Sequence, residues 1–426
     1  MVDRVESVLE VAGTLKMVEG GADSAEKAAP LDLNAKAALV YAEKTLKWAT
    51  SSEGVGRAIR HYEKAGASIA VGEGKFQPTL RPDRRLIAVE VRSPKVFLFS
   101  PQGLLTRDEL DLVDLLGNSL LVEQLLPAQA VAVGDTWKHS DKLLAELCGL
   151  DAISSSDAQS VLRSVNDAAA QIEMAGYVAG SVNGLSTKMQ LKAKYRFDVK
   201  AKRITWFALL VKENRQPGAI GPGLDVVARL QMKIVPGATS AELSETALKR
   251  LSLEPTASLE RLSYASPEGG WQAAYDRRWV LISEKQELTV LRMADGGDYV
   301  AQCNISAMSP GDGTPLALSD FQDEIRTALG KSFRQFVKAS QSVTEAEYRM
   351  DRVAAQGEVS GVPIQWIYYR IADQRGRHLV VLFTVEANMG ERLQENDREL
   401  VRAIRFVDPK PTATAQNGTQ KSAPPN

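Results

Sequence analysis

"STKMQLKAKYRFDVKAKRITWFALLVKEN" (residues 186–214) decides the fold of the first half of the chain. Met189, Leu191, Ala193, Tyr195 and Phe197 occupy every second position, the polar run "DVKAKR" interrupts, and a second apolar segment follows. Period two marks a strand with one buried face, so two long antiparallel strands joined by a hairpin turn are expected. The same pattern recurs outward. Leu31, Leu33, Ala35, Ala37, Leu39 and Tyr41 alternate in "LDLNAKAALVYAEKTL", and Val5, Leu9, Val11, Leu15 and Met17 do so at the start. "GRAIRHYEKAGASIAV", "RRLIAVEVRSPKVFLFS", "AAAQIEMAGYVAGSVNG" and "GLDVVARLQMKIVP" continue it. About eight to ten strands predict a mostly antiparallel β domain over residues 1–235, either a large twisted sheet or a half-barrel. Within it, Thr106 and Glu109 match a capping box. "HSDKLLAELCGL" reads as a helix with Ser140 as N-cap, Leu143, Leu144 and Leu147 as its buried stripe, and Gly149 as its stop.

Residues 236–262 mix Pro, Ser, Thr and Ala with short apolar patches and read as a linker with one helical turn. Residues 263–407 change character. Strands are expected around "WQAAYDRRWVLISEKQELTVLRM" and "DYVAQCNISAM", followed by the turn "SPGDGTP". A long helix over "SDFQDEIRTALGKSFRQFVKA" comes next, with Ser319 and Gln322 as capping box and Phe321, Ile325, Leu329, Phe333 and Phe336 as apolar stripe. Three strands ("EYRMDRVAAQGEV", "VPIQWIYYRIAD", "HLVVLFTVEA") and a helix near "ENDRELVRAIRF" complete the unit. Residues 408–426 lack apolar side chains and are expected to be disordered. The fold class is α+β.

The residues "GGWQAAYDRRWVLIS", the helix after "PLALSDF", "GVPIQWIYYRIADQRGRHLVVLFTV" and "LQENDRELVRAIRF" follow an order that resembles the PsbP-like α/β/α sandwich, over about residues 264–407. That resemblance implies an antiparallel sheet between helices, and a protein that binds other proteins or stabilises assemblies without catalysis. It carries over no site residues. The long strands of the first half, framing a short helix, are similar at the level of fold to the half-barrel lipoprotein carriers of bacterial envelopes.

Of the 426 residues, 44% are hydrophobic and 25% charged, with 52 basic against 53 acidic, a formal net charge of -1. This balance lacks the basic excess of a nucleic-acid binder, and no apolar run approaches the roughly 18 residues of a membrane span. Two cysteines, Cys148 and Cys303, exclude a disulfide framework and are expected to be buried free thiols. The opening "MVDRVESVLEVAG" shows no signal peptide. Strand patterning so close to the start favours a periplasmic or envelope protein whose leader is absent from this sequence.

Chemistry is sparse. His61, His139 and His378 are far apart and fall in no metal-binding spacing, and no nucleophile elbow or phosphate loop is present. Asp108, Glu109, Asp111 and Asp114 form the densest acidic cluster and read as an exposed turn. No catalytic residue, cofactor or metal ligand is assigned. The aromatic residues Trp271, Trp279, Trp366, Tyr368 and Tyr369 are the candidate partner or ligand surface, against a reading in which they build a core. In "WIYYR", Trp366 and Tyr368 point to one face and Tyr369 to the other, so one set is expected to pack and the other to meet a partner. The expected function is a non-enzymatic binding or scaffold protein of the bacterial envelope acting through protein contacts. The alternative is a carrier of an apolar ligand, a lipid or isoprenoid, held near Tyr41, Tyr195, Phe197, Trp206 and Phe207 in the N-terminal β domain.

Overall fold

A computed structural model of the chain describes residues 2–17, 29–48, 56–92, 95–218, 221–266, 268–285, 288–308 and 317–408. The expected turn at 309–315 and the expected disordered tail beyond residue 408 lie outside them.

The first strands are β1 (Val2–Lys16), β2 (Leu31–Lys47), β3 (Gly56–Val71), β4 (Gly74–Phe76), β5 (Leu86–Arg92) and β6 (Lys95–Phe99). Three short helices and two strands interrupt: α1 (Arg107–Val113), α2 (Ser119–Val122), β7 (Thr136–Lys138), α3 (Asp141–Cys148) and β8 (Ala152–Ser156). Then come β9 (Gln159–Val165), β10 (Ala169–Val182), β11 (Leu185–Asp198), β12 (Arg203–Arg215) and β13 (Gly223–Ala238). All belong to one sheet, in the order β6-β5-β3-β2-β1-β13-β12-β11-β10-β9-β7, with β4 on β3 and β8 on β10. The expected alternation is present: Met189, Leu191, Ala193 and Tyr195 are buried and their neighbours exposed. So are the expected caps, Thr106 with Glu109 on α1 and Ser140 with Gly149 on α3.

The sheet curves around its helices. Tyr41 on β2 hydrogen-bonds Ser119 Oγ at 3.0 Å, and Tyr195 on β11 donates to Leu125 O at 3.1 Å. Four strand spacings separate β2 from β11, about 19 Å if flat, whereas residues 119–125 span about 10 Å. The concave face is thus filled by α1–α3, whose Leu120, Leu121, Leu144 and Leu147 join Phe207, Leu209 and Tyr195 in one core. At the centre of that contact Arg60 donates to Glu43 at 2.7 Å, to Asn118 Oδ1 at 2.5 Å and to Ser119 Oγ at 2.9 Å, all four residues being buried.

The segment expected as a linker is docked. It carries α4 (Glu245–Leu248), and Leu243 and Leu248 pack with Ala42, Ile59, Leu86, Ala88 and Phe99 in a second small core.

The C-terminal unit starts with β14 (Arg261–Ser266), β15 (Trp271–Asp276), β16 (Trp279–Lys285), β17 (Leu288–Asp295) and β18 (Asp298–Met308). It continues with α5 (Leu318–Leu329), β19 (Phe333–Val343), β20 (Arg349–Val359), β21 (Val362–Ala372) and β22 (His378–Glu386). It ends with α6 (Gly390–Leu393), α7 (Asn396–Ala403) and β23 (Arg405–Phe406). A seven-stranded antiparallel sheet runs β16-β17-β18-β22-β21-β20-β19, and β14-β15-β23 form a separate small sheet. The strands expected as a pair around "YDRRW" therefore part company, β15 joining one sheet and β16 the other. The long helix expected through Phe336 stops at Leu329, because Gly330 takes φ +50 and Phe333 and Phe336 lie on β19, paired with β20. Its N-cap is Ala317, without a side-chain cap, so Ser319 and Gln322 form no capping box.

Two arginines exchange across the junction of the units. Arg107 on α1 donates to Arg277 O at 2.5 Å, while Arg277 donates to Leu98 O at 2.8 Å and covers the Phe97 ring. Ser263 N reaches Leu105 O at 2.8 Å in the same region. Elsewhere the hairpin turn at Gly184 abuts the turn at Gly297, where a Cβ on either glycine would overlap the other's backbone. The main apolar core runs without a break through both units.

Candidate functional site

The five aromatic residues expected as a partner surface form the interior instead. Trp271 and Trp279 are 2% and 1% exposed, and Tyr369 is fully buried. Both faces of the seven-stranded sheet are covered, which period two alone does not reveal. Trp366 and Tyr368 lie under α5, Tyr368 meeting Phe321 edge-on at 6.4 Å. Tyr369, on the opposite face, donates to Asp397 on α7 at 2.7 Å and accepts from Arg352 at 2.8 Å. Trp271 packs on Tyr264 and Trp279 on Phe383, at 5.3 and 5.8 Å between ring centroids.

The remaining candidates are dispersed. Cys148 and Cys303 are free and buried, and burial pushes the Cys148 thiol up to about 12. Neither is a nucleophile at neutral pH. His61 Nδ1 stands 3.7 Å from Glu242, and His378 is half-buried on β22. Among the described residues no three His, Cys, Asp or Glu side chains converge on a metal position. Of the acidic cluster, Glu109 is buried rather than exposed. Burial would raise its pKa, but hydrogen bonds from the Arg81 side chain and from the Thr106 and Arg81 backbone outweigh it and hold the carboxyl below its usual range.

His139 is half-buried and ends a polar chain: its Nε2 lies 2.7 Å from Ser160 Oγ, which stands 2.7 Å from Tyr195 Oη. Burial holds the imidazole down at about 4, against about 6.5 in an unfolded chain. Between those values the unfolded state binds a proton that the folded state does not. Stability is therefore expected to fall as pH is lowered through this window, by up to about 1.4 kcal/mol per pH unit. Between about pH 7 and about pH 5 the urea midpoint should fall further in the native chain than in His139→Gln, while Asp114, whose carboxyl burial pushes up to about 6, acts with the opposite sign in both; equal changes in both would assign the effect elsewhere.

The concentration of chemistry lies at the junction of the units. A groove of about 780 Å³ is walled on one side by Arg81, Arg84 and Leu104 and on the other by Arg261, Gln272, Arg402 and Arg405. Glu345 and Glu399 also line it, and Ala265, Ala274 and Ala403 leave room. Four of the five arginines are held in place. Arg81 grips Glu109 with two hydrogen bonds of 2.6 and 2.7 Å, Arg84 Nε donates to Leu104 O at 3.0 Å, and Arg405 donates to Arg402 O and Ile404 O at 2.6 and 2.7 Å. Arg261 pairs with Glu399 at 2.8 Å. Guanidinium groups fixed through some of their donors keep their charge and present the others, the geometry that recognises carboxylates and phosphates. Sequence reasoning missed this site, apart from the visible run "RPDRR" at 81–85, because its arginines span more than three hundred positions.

No protein-family profile matches this sequence, and no curated protein matches it. Solved structures are similar over about a third of the chain. The cyanobacterial PsbP (CyanoP) of Synechocystis sp. PCC 6803 is 9% identical, covering 40% of this chain and 98% of its own, at a TM-score of 0.29. The Ran-binding protein Mog1p of Saccharomyces cerevisiae is 10% identical, covering 35% and 96%, at 0.28. A Bacteroides thetaiotaomicron protein is 13% identical, covering 34% of this chain, at 0.25; this chain spans about half (47%) of that one. The share of this chain that they cover is close in extent to the PsbP-like region expected from the sequence. At these TM-scores the likeness carries no argument about function.

Proposed function

We propose that this is a non-enzymatic binding protein of the bacterial envelope that holds an acidic segment of a partner protein in the groove between its units. The observation that supports the reading most directly is the pair of facing arginine walls, Arg81 and Arg84 against Arg261, Arg402 and Arg405. Clefts between domains are common binding sites, and five guanidinium groups stand against four carboxylates, Glu345 and Glu399 in the lining and Glu109 and Asp83 paired with Arg81 and Arg84, which leaves free donors for an anionic occupant. The arginine exchange between Arg107 and Arg277 fixes the two walls relative to each other, which lowers the ordering cost of binding.

A titration calorimetry experiment with an oligo-glutamate peptide tests this. The full chain is expected to bind it, and Arg84→Glu combined with Arg402→Glu to weaken binding by at least about tenfold. An unchanged affinity in the double variant would sink the reading.

The carrier of an apolar lipid or isoprenoid is the second reading, supported by a curved sheet whose concave side is lined by Tyr195, Phe207 and Leu209. Helices α1–α3 now occupy that volume, so a ligand would have to displace them. Native mass spectrometry of protein purified from its source separates the two: an apolar mass released on denaturation favours the carrier, a complex with a protein favours the groove.

A further inference from the structure

The outward face of the sheet from β9 to β13 has a charge unlike that of the chain. Basic and acidic residues nearly cancel overall, so an even spread would leave each face close to neutral. On β11, however, the exposed alternate positions are Lys188, Gln190, Lys192, Lys194 and Arg196. Lys212 on β12 extends this array sideways, and Arg229 and Lys233 on β13 mark its edge, where they stand opposite Glu10 and Glu6 of β1. Glu173 is shared between Lys194 at 3.0 Å and Arg163 at 2.8 Å, and Asp225 stands 3.7 Å from Lys16. Among the described residues no carboxylate comes within ion-pair distance of Lys188, Lys192 or Lys212. The other half of the same sheet is balanced, with Lys36 on Glu10 at 2.6 Å and Arg4 on Glu63 at 2.5 Å.

The basic region also has a shape. A groove of about 790 Å³ crosses it, with Ala175, Ala208 and Leu210 along its floor and Lys192, Lys194 and Arg229 beside them. Strands about 4.8 Å apart, with same-face residues about 6.7 Å apart along each, spread these cations in two dimensions. A linear polyanion would use a single basic track with stacked aromatic rings. A field of separate phosphates matches a two-dimensional array with apolar residues between the charges.

We propose that this face docks on the surface of a membrane rich in anionic phospholipids. The arrangement is independent of the arginine groove and goes beyond the function proposed above. Attraction to such a surface grows with each Lys or Arg brought near it and weakens within a Debye length as salt is added.

Co-sedimentation of the full chain with sucrose-loaded vesicles tests the proposal. Binding is expected to vesicles of equal phosphatidylglycerol and phosphatidylcholine, to fade at high salt, and to be absent with phosphatidylcholine alone. The variant Lys188→Glu, Lys192→Glu, Lys212→Glu is expected to lose more than about a hundredfold in partitioning. A matched Lys→Gln triple variant, expected to lose less, guards against misfolding of the first. Arg84→Glu with Arg402→Glu should leave vesicle binding intact, which separates this proposal from the groove. Absence of binding to anionic vesicles, equal binding to neutral ones, or full binding by the charge-reversed variant would overturn it, as would retention on a soluble polyanion such as heparin with none on vesicles.

Discussion

Replacing Arg60 by alanine is expected to cost about 3–5 kcal/mol of unfolding free energy. Arg60 is 3% exposed and its guanidinium neutralises Glu43, also 3% exposed, while donating to Asn118 and Ser119 on the helical insert. Removing the cation leaves a carboxylate stranded in a low-dielectric interior. It also cuts the polar tie between β2, β3 and α2, since Ser119 donates to the same Glu43 oxygen at 2.8 Å. Urea unfolding of Arg60→Ala measures the loss. The double variant Arg60→Met with Glu43→Leu should recover most of it, because replacing both partners removes the orphan charge. A loss below about 1 kcal/mol for the single variant would mean that water reaches Glu43.

Trp279→Ala should be comparably severe, at about 3–5 kcal/mol. The indole is 1% exposed on the edge strand β16, packs at a tilt against Phe383, and belongs to the core that runs through both units. An exposed recognition aromatic would behave differently, changing stability by about 0.5 kcal/mol or less while weakening binding. Thermal unfolding therefore separates the two roles that its sequence context allowed.

What could be read in advance follows from the range over which each signal acts. The alternation of Met189, Leu191, Ala193 and Tyr195 is local and survives in the fold, as do the caps at Thr106 and Ser140. The end of α5 was hidden because Phe333 and Phe336 keep the helical spacing of Ile325 and Leu329. Pairing with β20 decides their conformation, and pairing is a tertiary fact. The aromatic residues misled for a related reason. Alternation shows that β21 has two faces, but not that α5 covers one and α7 lies over the other. The arginine groove was least legible of all. Arg84 and Arg402 each sit among ordinary charged neighbours, and only the docking of the units brings them to one cleft.

The contact between Gly184 and Gly297 bears on how this chain tolerates change. Turns between strands usually accept insertions, tags and sequence drift. These two do not, since each occupies the space the other would need for a single methyl group. Their histories are tied: lengthening one is neutral only if the other retreats. By contrast, a Cβ at Gly361 or Gly376 would meet nothing within 4 Å among the described residues; their positive φ values favour keeping the glycines, so an affinity handle belongs there as an insertion beside them.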